Sequence, residues 1–477
     1  MTERPESQLK RLSLKSYHLV SDKEDKRKEL LSQYKQSLSD LLEYTGSDDF
    51  TEKICGSKQL PQLIIAVTAH AGKLPWSTTS TRNIVKGILS NVLLKCGCST
   101  VTELLVGEVK STTKQSPYLP LEENETEDDI STDNPSHIKN FDDCHSQESE
   151  MVPTEEEEEV TITGTMSQRE ERLFQLGIIK NLFSIFKTTL TRDKWLEHPT
   201  EQYSLMWCLR SLNHPHISSW IDSFLPPLLM FTDHHELHHK LLGLSGLTHL
   251  IRNVNAAEMR WYNRAMVVYE AIHKFLYFGD VNIIWSVHRC LWLLLPIIDG
   301  PSPVRVDAPC KPGKRDEVFS ILLNSMDFET KLPQKRAYSS GVLGYIDMMG
   351  IHGARHLKRL LHVMYQYLEF PDVGQEECRL NCLRVLVAVM RNVWPRIPYH
   401  QADIVKSLIK LVSDCCQANG ALPKPKSPEF AVLNWVIKCL TMLQRCCPSL
   451  ELQELAEGCD HEGLNYCIQQ SSTQLSQ

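Results

Sequence analysis

The sequence predicts an all-α protein, built as a HEAT- or armadillo-like α-solenoid of about six helix pairs. Apolar blocks of helical length follow one another from Lys194 to about Ser449, and clusters of Pro, Gly and Asn interrupt them at intervals of roughly forty residues. No stretch alternates between apolar and polar residues in the way that a half-buried strand requires. Tandem helix pairs of this length stack side by side and expose long flanks, which is typical of proteins that hold other proteins.

Four regions are predicted along the 477 residues. A helical module occupies 1–107, and an acidic disordered linker or loop occupies 108–167. Within that linker, residues 122–159 carry sixteen acidic side chains against one basic one, Lys139, so the segment lacks the apolar surface that offsets chain entropy. The solenoid spans 168–449, and a C-terminal helix with a polar tail spans 450–477. The predicted helix pairs are 199–232, 233–279, 280–326, 329–370, 374–417 and 427–447.

Single helices show one apolar and one polar face. In 261–276 the apolar face begins at Trp261 and continues through Ala265, Val268, Ile272 and Phe275. In 355–368 the polar face consists of Arg355, Arg359, His362 and Gln366. Four further tryptophans, Trp207, Trp285, Trp292 and Trp435, are predicted in the core. Trp76 and Trp394 each lie beside a proline at a helix end and are candidates to anchor a partner.

The composition argues against several classes of function. The net charge is −8, but outside the acidic segment it is about +7, spread without a dense basic tract, so nucleic-acid binding is not expected. The sixteen cysteines lie mostly among apolar residues, which predicts reduced thiols in a cytoplasmic and nuclear protein. The longest apolar run, 283–298, contains His288 and Arg289 and is too short to span a membrane. Neither a cofactor nor a catalytic residue is predicted.

One motif favours enzymatic chemistry when taken alone. His235, Glu236 and His239 match the H-E-x-x-H pattern, in which two imidazoles bind zinc while the glutamate activates water. A helical wheel puts both histidines opposite the apolar face, exposed to solvent. Asp233 is predicted to cap the helix, with Glu236 completing a capping box. A zinc metallopeptidase is therefore the remote alternative, and no metal site is predicted.

Two residues of the acidic linker have the sequence context of phosphoacceptors. Ser146 precedes a glutamine, and Thr154 precedes five glutamates. Phosphorylation there would add negative charge to an already acidic segment and favour a basic partner.

Several segments, in order along the chain, resemble a known family. They are KLPWSTTSTRNIVKGIL (73–89), KWLEHP (194–199), WIDSFLPPLLMFTD (220–233), RNVNAAEMRWYNRAMVVYEAIHKFLY (252–277), KRDEVFSILLNSMDFE (314–329), ARHLKRLLHVMYQYLE (354–369) and NVWPRI (392–397). Together they resemble the family of second Tel-two-interacting proteins, which are subunits of the triple-T co-chaperone complex. The resemblance covers most of 190–400 and a patch near 60–95.

The resemblance implies a non-enzymatic helical scaffold. Such a scaffold binds the larger Tel-two-interacting subunit directly and Tel-two through it. With the ninety-kilodalton heat-shock chaperone machinery, the assembly supports maturation and stability of phosphatidylinositol-3-kinase-related kinases (mTOR, ATM, ATR and relatives). The residues predicted to contact the partner are Arg355, Lys358, Arg359, His362, Trp394 and Arg396. The alternative function is a generic transport or adaptor solenoid of the karyopherin type.

Overall fold

The computed structural model describes residues 5–14, 24–47, 50, 59–107, 177–300, 312–372, 374–416, 421–453 and 461–476. All regular elements in these ranges are helices and none is a strand, which confirms the predicted all-α fold class. The chain divides into two compact units, Met1–Leu212 and Asn213–Gln477. The helices between 177 and 212 thus pack with the first unit. The predicted limits of the domains stay predictions, and the acidic segment 108–167 lies outside the described residues.

The first unit is a bundle of helices. Its helices are α1 (Pro5–Arg11), α2 (Glu24–Gly46), α3 (Gln59–Thr68), α4 (Thr79–Lys95), α5 (Val101–Val106), α6 (Ile179–Thr189) and α7 (Pro199–Arg210). Helix α2 packs against α4, and α3 packs against α7. A reciprocal pair of hydrogen bonds between Thr78 and Thr81 starts α4. Almost all of α3 is buried, which explains its nearly continuous apolar sequence.

The second unit is built from two layers of helices. After α8 (Ile221–Asp233), the inner layer consists of α9 (Leu237–Asn253), α12 (Val281–Asp299), α14 (Leu332–Met349), α16 (Glu377–Asn392) and α18 (Pro428–Cys446). Each of these helices packs against the next. They begin at intervals of roughly 45 to 50 residues, the spacing of HEAT-type units. A short helix, α10 (Ala256–Arg260), follows α9.

The outer layer consists of α11 (Arg264–His273), α13 (Lys314–Phe328), α15 (Leu357–Glu369) and α17 (Gln401–Cys415), and α19 (Glu462–Ser476) follows α18. Each outer helix packs on neighbouring inner helices, and α13, α15 and α17 contact one another in turn. The predicted pairs 233–279, 280–326, 329–370 and 374–417 therefore each contain one inner and one outer helix. This repeated pairing confirms the α-solenoid within the second unit.

Helix α12 is the one helix among the described residues that is long and apolar enough to span a membrane by length and composition. Its position in the second unit gives another reason for this composition. Inner helices α9 and α14 pack on its two sides, and Ile283, Val287, Leu291 and Leu294 are buried there. The helix is apolar because neighbouring protein covers much of it on both flanks.

The twelve cysteines within the described ranges are free thiols. Most are buried, and burial raises the pKa of several of them, Cys208 and Cys290 among them, to about 12. A thiol with such a pKa stays protonated near neutral pH and is a poor nucleophile. These cysteines pack as small apolar residues, as their sequence surroundings indicate.

Two buried histidines make the stability of each unit depend on pH. Burial lowers the pKa of His70 to about 4, against a smaller opposing effect of the backbone oxygen of Leu12, 3.1 Å from Nε2. Burial also lowers the pKa of His288 to about 4, and its Nδ1 lies 2.7 Å from the hydroxyl of Tyr345. Both side chains are neutral in the folded chain, whereas they take up a proton near pH 6.5 once unfolded.

Unfolding therefore binds protons between about pH 6.5 and pH 4, so the free energy of unfolding falls as the pH falls through that window. We expect each histidine to remove about 1 kcal/mol at pH 5.5 relative to pH 7.5. Urea titrations at both pH values will measure the difference. His70→Gln and His288→Asn keep a polar atom near the bonded ring nitrogen but do not titrate, so each should lessen the loss by its own share. An unchanged loss in both variants would show that other groups cause it.

Candidate protein-interaction edge

Three turns that each join an inner helix to the next outer helix are described in full, and they lie along one edge of the second unit. Because the inner helices stack side by side and each returns through an outer helix, their carboxyl ends meet at the same edge. We call the described parts of these turns, 254–263, 350–356 and 393–400, the turn edge. In a stacked array, loops on one face of successive repeats commonly form the binding face.

Contacts between successive helix pairs connect this edge along its length. The Arg260 guanidinium donates to the backbone oxygen of Ile297 at the end of α12. The Arg315 guanidinium at the start of α13 donates to the oxygen of Met348 at the end of α14. A methyl group added at Gly353 would be in ordinary van der Waals contact with Val393, so these two turns lie against each other. The turns therefore form a connected surface.

The first turn presents two exposed aromatic side chains. Trp261 is exposed, and Tyr262 is 87% exposed. Tyr262 and Asn263 both have positive φ, of 52° and 58°, a conformation that costs non-glycine residues roughly 1 to 3 kcal/mol each. Two such residues in succession interrupt the helix, and the rings of Trp261 and Tyr262 point outward. Trp261 was predicted on the buried face of a continuous helix, and that prediction is wrong because the helix begins only at Arg264.

Arg264 holds this turn in place. Its Nε and one terminal nitrogen donate to the two carboxylate oxygens of Asp222, each at 2.9 Å, and its other terminal nitrogen donates to the backbone oxygen of Glu258 at 3.0 Å. The guanidinium also lies over the ring of Tyr262, 5.2 Å from its centroid. The bidentate pair with Asp222 and the cation–π contact restrict the side chains of Arg264 and Tyr262. The Tyr262 ring is thus held in place before any partner binds, which reduces the entropy lost on binding.

The turn 393–400 presents a second aromatic pair. Trp394 is 59% exposed, and Tyr399 is exposed as well. Ile397 between them is fully buried and anchors the turn. Pro395 and Pro398 fix φ on either side of it, so this surface too is stiff. The position predicted for Trp394, at a helix end, agrees with the structure.

The basic residues predicted to contact a partner have different surroundings. Arg355 donates to the carboxylate of Asp316 at 3.2 Å, and Nε2 of His356 lies 2.9 Å from the same group. Burial opposes the ionisation of Asp316, but its hydrogen bonds with His356, the Gly313 amide and Arg355 outweigh that effect and lower its pKa. Asp316 stays charged and ties the turn 350–356 to the start of α13. Arg355 therefore has a structural role at the edge.

The other predicted contact residues lie close to the edge. Lys358, Arg359 and His362 follow on the first turns of α15, where Lys358 and His362 are exposed and Arg359 is half-buried. His362 contacts Gln366 at 3.1 Å and lies 3.8 Å from Asp327. Arg396 is exposed beside Trp394. The structure brings Arg355, Trp394 and Arg396 to the turn edge and puts Lys358, Arg359 and His362 on the adjoining outer layer. Their role in binding stays a prediction.

Two other tryptophans differ from their predicted surroundings. Trp76, a candidate anchor, is buried against Tyr203 and donates its indole N–H to the oxygen of Ala69 at 3.1 Å. Trp285, predicted in the core, is half exposed near the start of α12, with the Arg289 guanidinium 5.0 Å from its ring centroid. Neither position follows from helical spacing, because neighbouring helices decide which part of a face is covered. Ser146 and Thr154 lie outside the described residues, and their phosphorylation stays a prediction.

The H-E-x-x-H motif does not have the arrangement of a zinc peptidase. Helix α9 begins at Leu237, so His235 and Glu236 precede it. The His235 side chain is 81% exposed while that of His239 is 9% exposed. Two predictions are wrong here: His239 does not face solvent, and Asp233 does not cap the helix, since it ends α8. The connection between two packed helices, and not one helix face, determines where these side chains point.

Comparisons with known proteins point in one direction. The TELO2-interacting protein 2 of Rattus norvegicus is 27% identical over 411 residues, which cover 86% of this chain and 68% of the rat protein. Its namesakes in Homo sapiens and Mus musculus are 31% and 29% identical, over 61% and 60% of this chain. These two alignments span 58% and 56% of the human and mouse proteins, less than two thirds of their length. No protein-family model and no solved structure matches the chain.

Proposed function

We propose that this chain belongs to the family of TELO2-interacting protein 2 and that it is a non-enzymatic scaffold subunit of a co-chaperone complex. In this proposal it contacts the larger Tel-two-interacting subunit directly and TELO2 through it; we call these two proteins the partner assembly. The turn edge is the surface that makes the contact. The names of the three relatives support the TELO2-related role.

The exposed aromatic residues of the turn edge are the observation that carries the assignment of the surface. Binding energy at protein interfaces concentrates in a few Trp, Tyr and Arg side chains. The edge presents Trp261, Tyr262, Trp394 and Tyr399, with Arg396 beside Trp394. Aromatic residues fixed on a stiff backbone lose little entropy when a partner covers them. A stack of rigid layers also holds the separate turns at constant spacing, so one extended partner can bind several at once.

The downstream role follows from the family resemblance. We propose that the assembled complex works with the ninety-kilodalton heat-shock chaperone machinery, in the cytoplasm and the nucleus. Its effect is to stabilise newly made phosphatidylinositol-3-kinase-related kinases such as mTOR, ATM and ATR. The chain contributes binding surface to this process, and no chemical step is assigned to it.

Affinity purification of the full chain from cells tests the proposal. We expect TELO2 and the larger subunit to be recovered in near-stoichiometric amounts. Depletion of the chain should lower the protein levels of the kinases without lowering their messenger RNA, and re-expression should restore them. Recovery of a small GTPase or nuclear-signal peptides in place of the partner assembly would instead support a transport or adaptor solenoid. Kinase levels that do not change would contradict the downstream role.

A further inference from the structure

Three side chains at the corner between α8 and α9 converge on one point. His234 follows the last residue of α8, Glu236 precedes the first residue of α9, and His239 lies in the first turn of α9. One ligand atom from each lies within 4.8 Å of the others. We call these three residues the histidine corner. It is separate from the turn edge, because α8 and α9 are joined at the other end of α9 from residues 254–263.

The spacing of the ligand atoms fits a small transition-metal ion. Nδ1 of His234 and Nδ1 of His239 are 2.9 Å apart, and Nδ1 of His239 is 3.3 Å from Oε2 of Glu236. Zinc bonds to nitrogen and oxygen are about 2.0 to 2.2 Å long, so neighbouring ligand atoms of a tetrahedral site are about 3.3 Å apart. Nδ1 of His234 also accepts a hydrogen bond from the Glu236 amide at 3.3 Å. An ion would replace this bond and the contact between the two histidines, with short shifts of the side chains. Imidazole and carboxylate are also the ligand types that zinc accepts.

A fourth side chain orients this set. Nε2 of His238 lies 3.1 Å from Nε2 of His239, and Nδ1 of His238 lies 3.4 Å from Oε2 of Glu236. If the Nε2–H of His239 donates to His238, the Nδ1 lone pair of His239 points toward the ion position. The Nδ1–H of His238 then points toward the Glu236 carboxylate. This is the arrangement of a second coordination sphere, in which a neighbour fixes the tautomer and direction of a ligating histidine.

The positively charged side chain of Lys240 lies near the proposed ion position, and its charge would repel a cation if nothing compensated it. The Lys240 ammonium donates to the backbone oxygens of His234 and His235, at 2.5 Å each. These two carbonyls partly compensate its charge, and the Glu236 carboxylate supplies a full negative charge on the ligand side.

We propose that the histidine corner binds one zinc-like divalent ion through Nδ1 of His234, Nδ1 of His239 and Oε2 of Glu236. His238 is a positioning residue, and water or a partner side chain completes the fourth position. The ion links the end of α8 to the start of α9, which is the first helix of the inner layer. Since the ion binds the folded corner and not the unfolded chain, it stabilises this layer. The site uses His234 and not the exposed His235 of the H-E-x-x-H motif.

Zinc chloride titration of the full chain, purified without a histidine tag and stripped with a chelator, tests the site. We expect one equivalent to bind, and we expect Glu236→Gln and His234→Ala each to weaken binding by at least about tenfold. His235→Ala is the matched control, because it removes an adjacent, exposed histidine that is not a ligand, and it should bind like the wild type. Cobalt chloride should give the strong visible absorption of a four-coordinate ion in the wild type and lose it in both ligand variants.

The outcomes separate the site from surface capture. Zinc should raise the unfolding midpoint of the wild type and of His235→Ala by similar amounts, and it should raise that of Glu236→Gln less. Glu236 and His234 are not fully buried, so these variants test the site without removing a core residue. His239→Ala, by contrast, would remove a buried side chain. Substoichiometric binding, or equal weakening by His235→Ala and His234→Ala, would overturn the proposal. Binding of the partner assembly is not a readout here, so its failure would bear only on the proposed function.

Discussion

Alanine at both Trp261 and Tyr262 is expected to weaken binding of the partner assembly by roughly 30-fold or more, equivalent to about 2 kcal/mol. Both rings are exposed in the isolated chain, so their removal should change its stability little. The loss should therefore appear in affinity, measured with purified full chain and partner assembly by a surface-based or calorimetric method. An increase in the dissociation rate is expected to account for most of it.

The matched control is Trp285→Ala. Trp285 is also an exposed tryptophan stacked by an arginine, Arg289, but it lies near the start of α12 and away from the turn edge. Its replacement removes similar apolar surface and a similar cation–π contact, and affinity should stay within about twofold of the wild type. If Trp285→Ala weakened binding strongly while the Trp261 and Tyr262 pair had no effect, the partner would bind the opposite edge. Trp394→Ala tests whether the contact extends to the third described turn.

Periodicity predicted the stack because burial of a helix face repeats along the chain. In α15 the predicted apolar positions Leu357, Leu361, Met364 and Leu368 are all buried, and the paired ranges 329–370 and 374–417 each contain an inner and an outer helix. These features depend on residues three and four apart, which a single sequence displays.

Features that depend on distant residues were not predictable in the same way. Trp261 was predicted on the buried face because a helical wheel assumes an unbroken helix. In the structure, positive φ at Tyr262 and Asn263 interrupts the helix. His239 was placed outside because the wheel does not show that α8 packs beside α9. Gly243 lies so close to the backbone of α8 that an added methyl group would be 2.7 Å from the amide nitrogen of Thr232. Such close packing covers a polar face that local sequence marks as exposed.

The turn edge itself was only partly predictable for the same reason. Trp394 stood out by its neighbouring proline, and Tyr262 belonged to a segment that carried the family resemblance. What the sequence does not show is that turns more than a hundred residues apart lie along one edge. That arrangement follows from the stacking of inner helices, and the ion pair of Arg355 with Asp316 is part of the same packing.

Asparagine at Asp372 is expected to reduce the free energy of unfolding of the second unit by about 3 kcal/mol. Asp372 is completely buried in the connection between α15 and α16. It accepts hydrogen bonds from the Arg336 guanidinium on α14, including one from Nε at 3.2 Å, and from the Cys378 amide at 2.8 Å. Asparagine has nearly the same shape but no charge, so it leaves Arg336 without its ion pair.

The matched control is Asp347→Asn, which removes another aspartate paired with an arginine of a neighbouring helix. Asp347 and Arg391 lie 3.2 Å apart, but both side chains are exposed, so water replaces the lost contact and the expected cost is below about 1 kcal/mol. Urea unfolding of both variants at pH 7.5 measures the contrast. Equal losses would show that Asp372 contributes no more than an exposed aspartate to the packing between neighbouring helix pairs. A loss confined to Asp372→Asn would show that buried charge between layers, and not charge on their surface, stabilises the stack on which the turn edge depends.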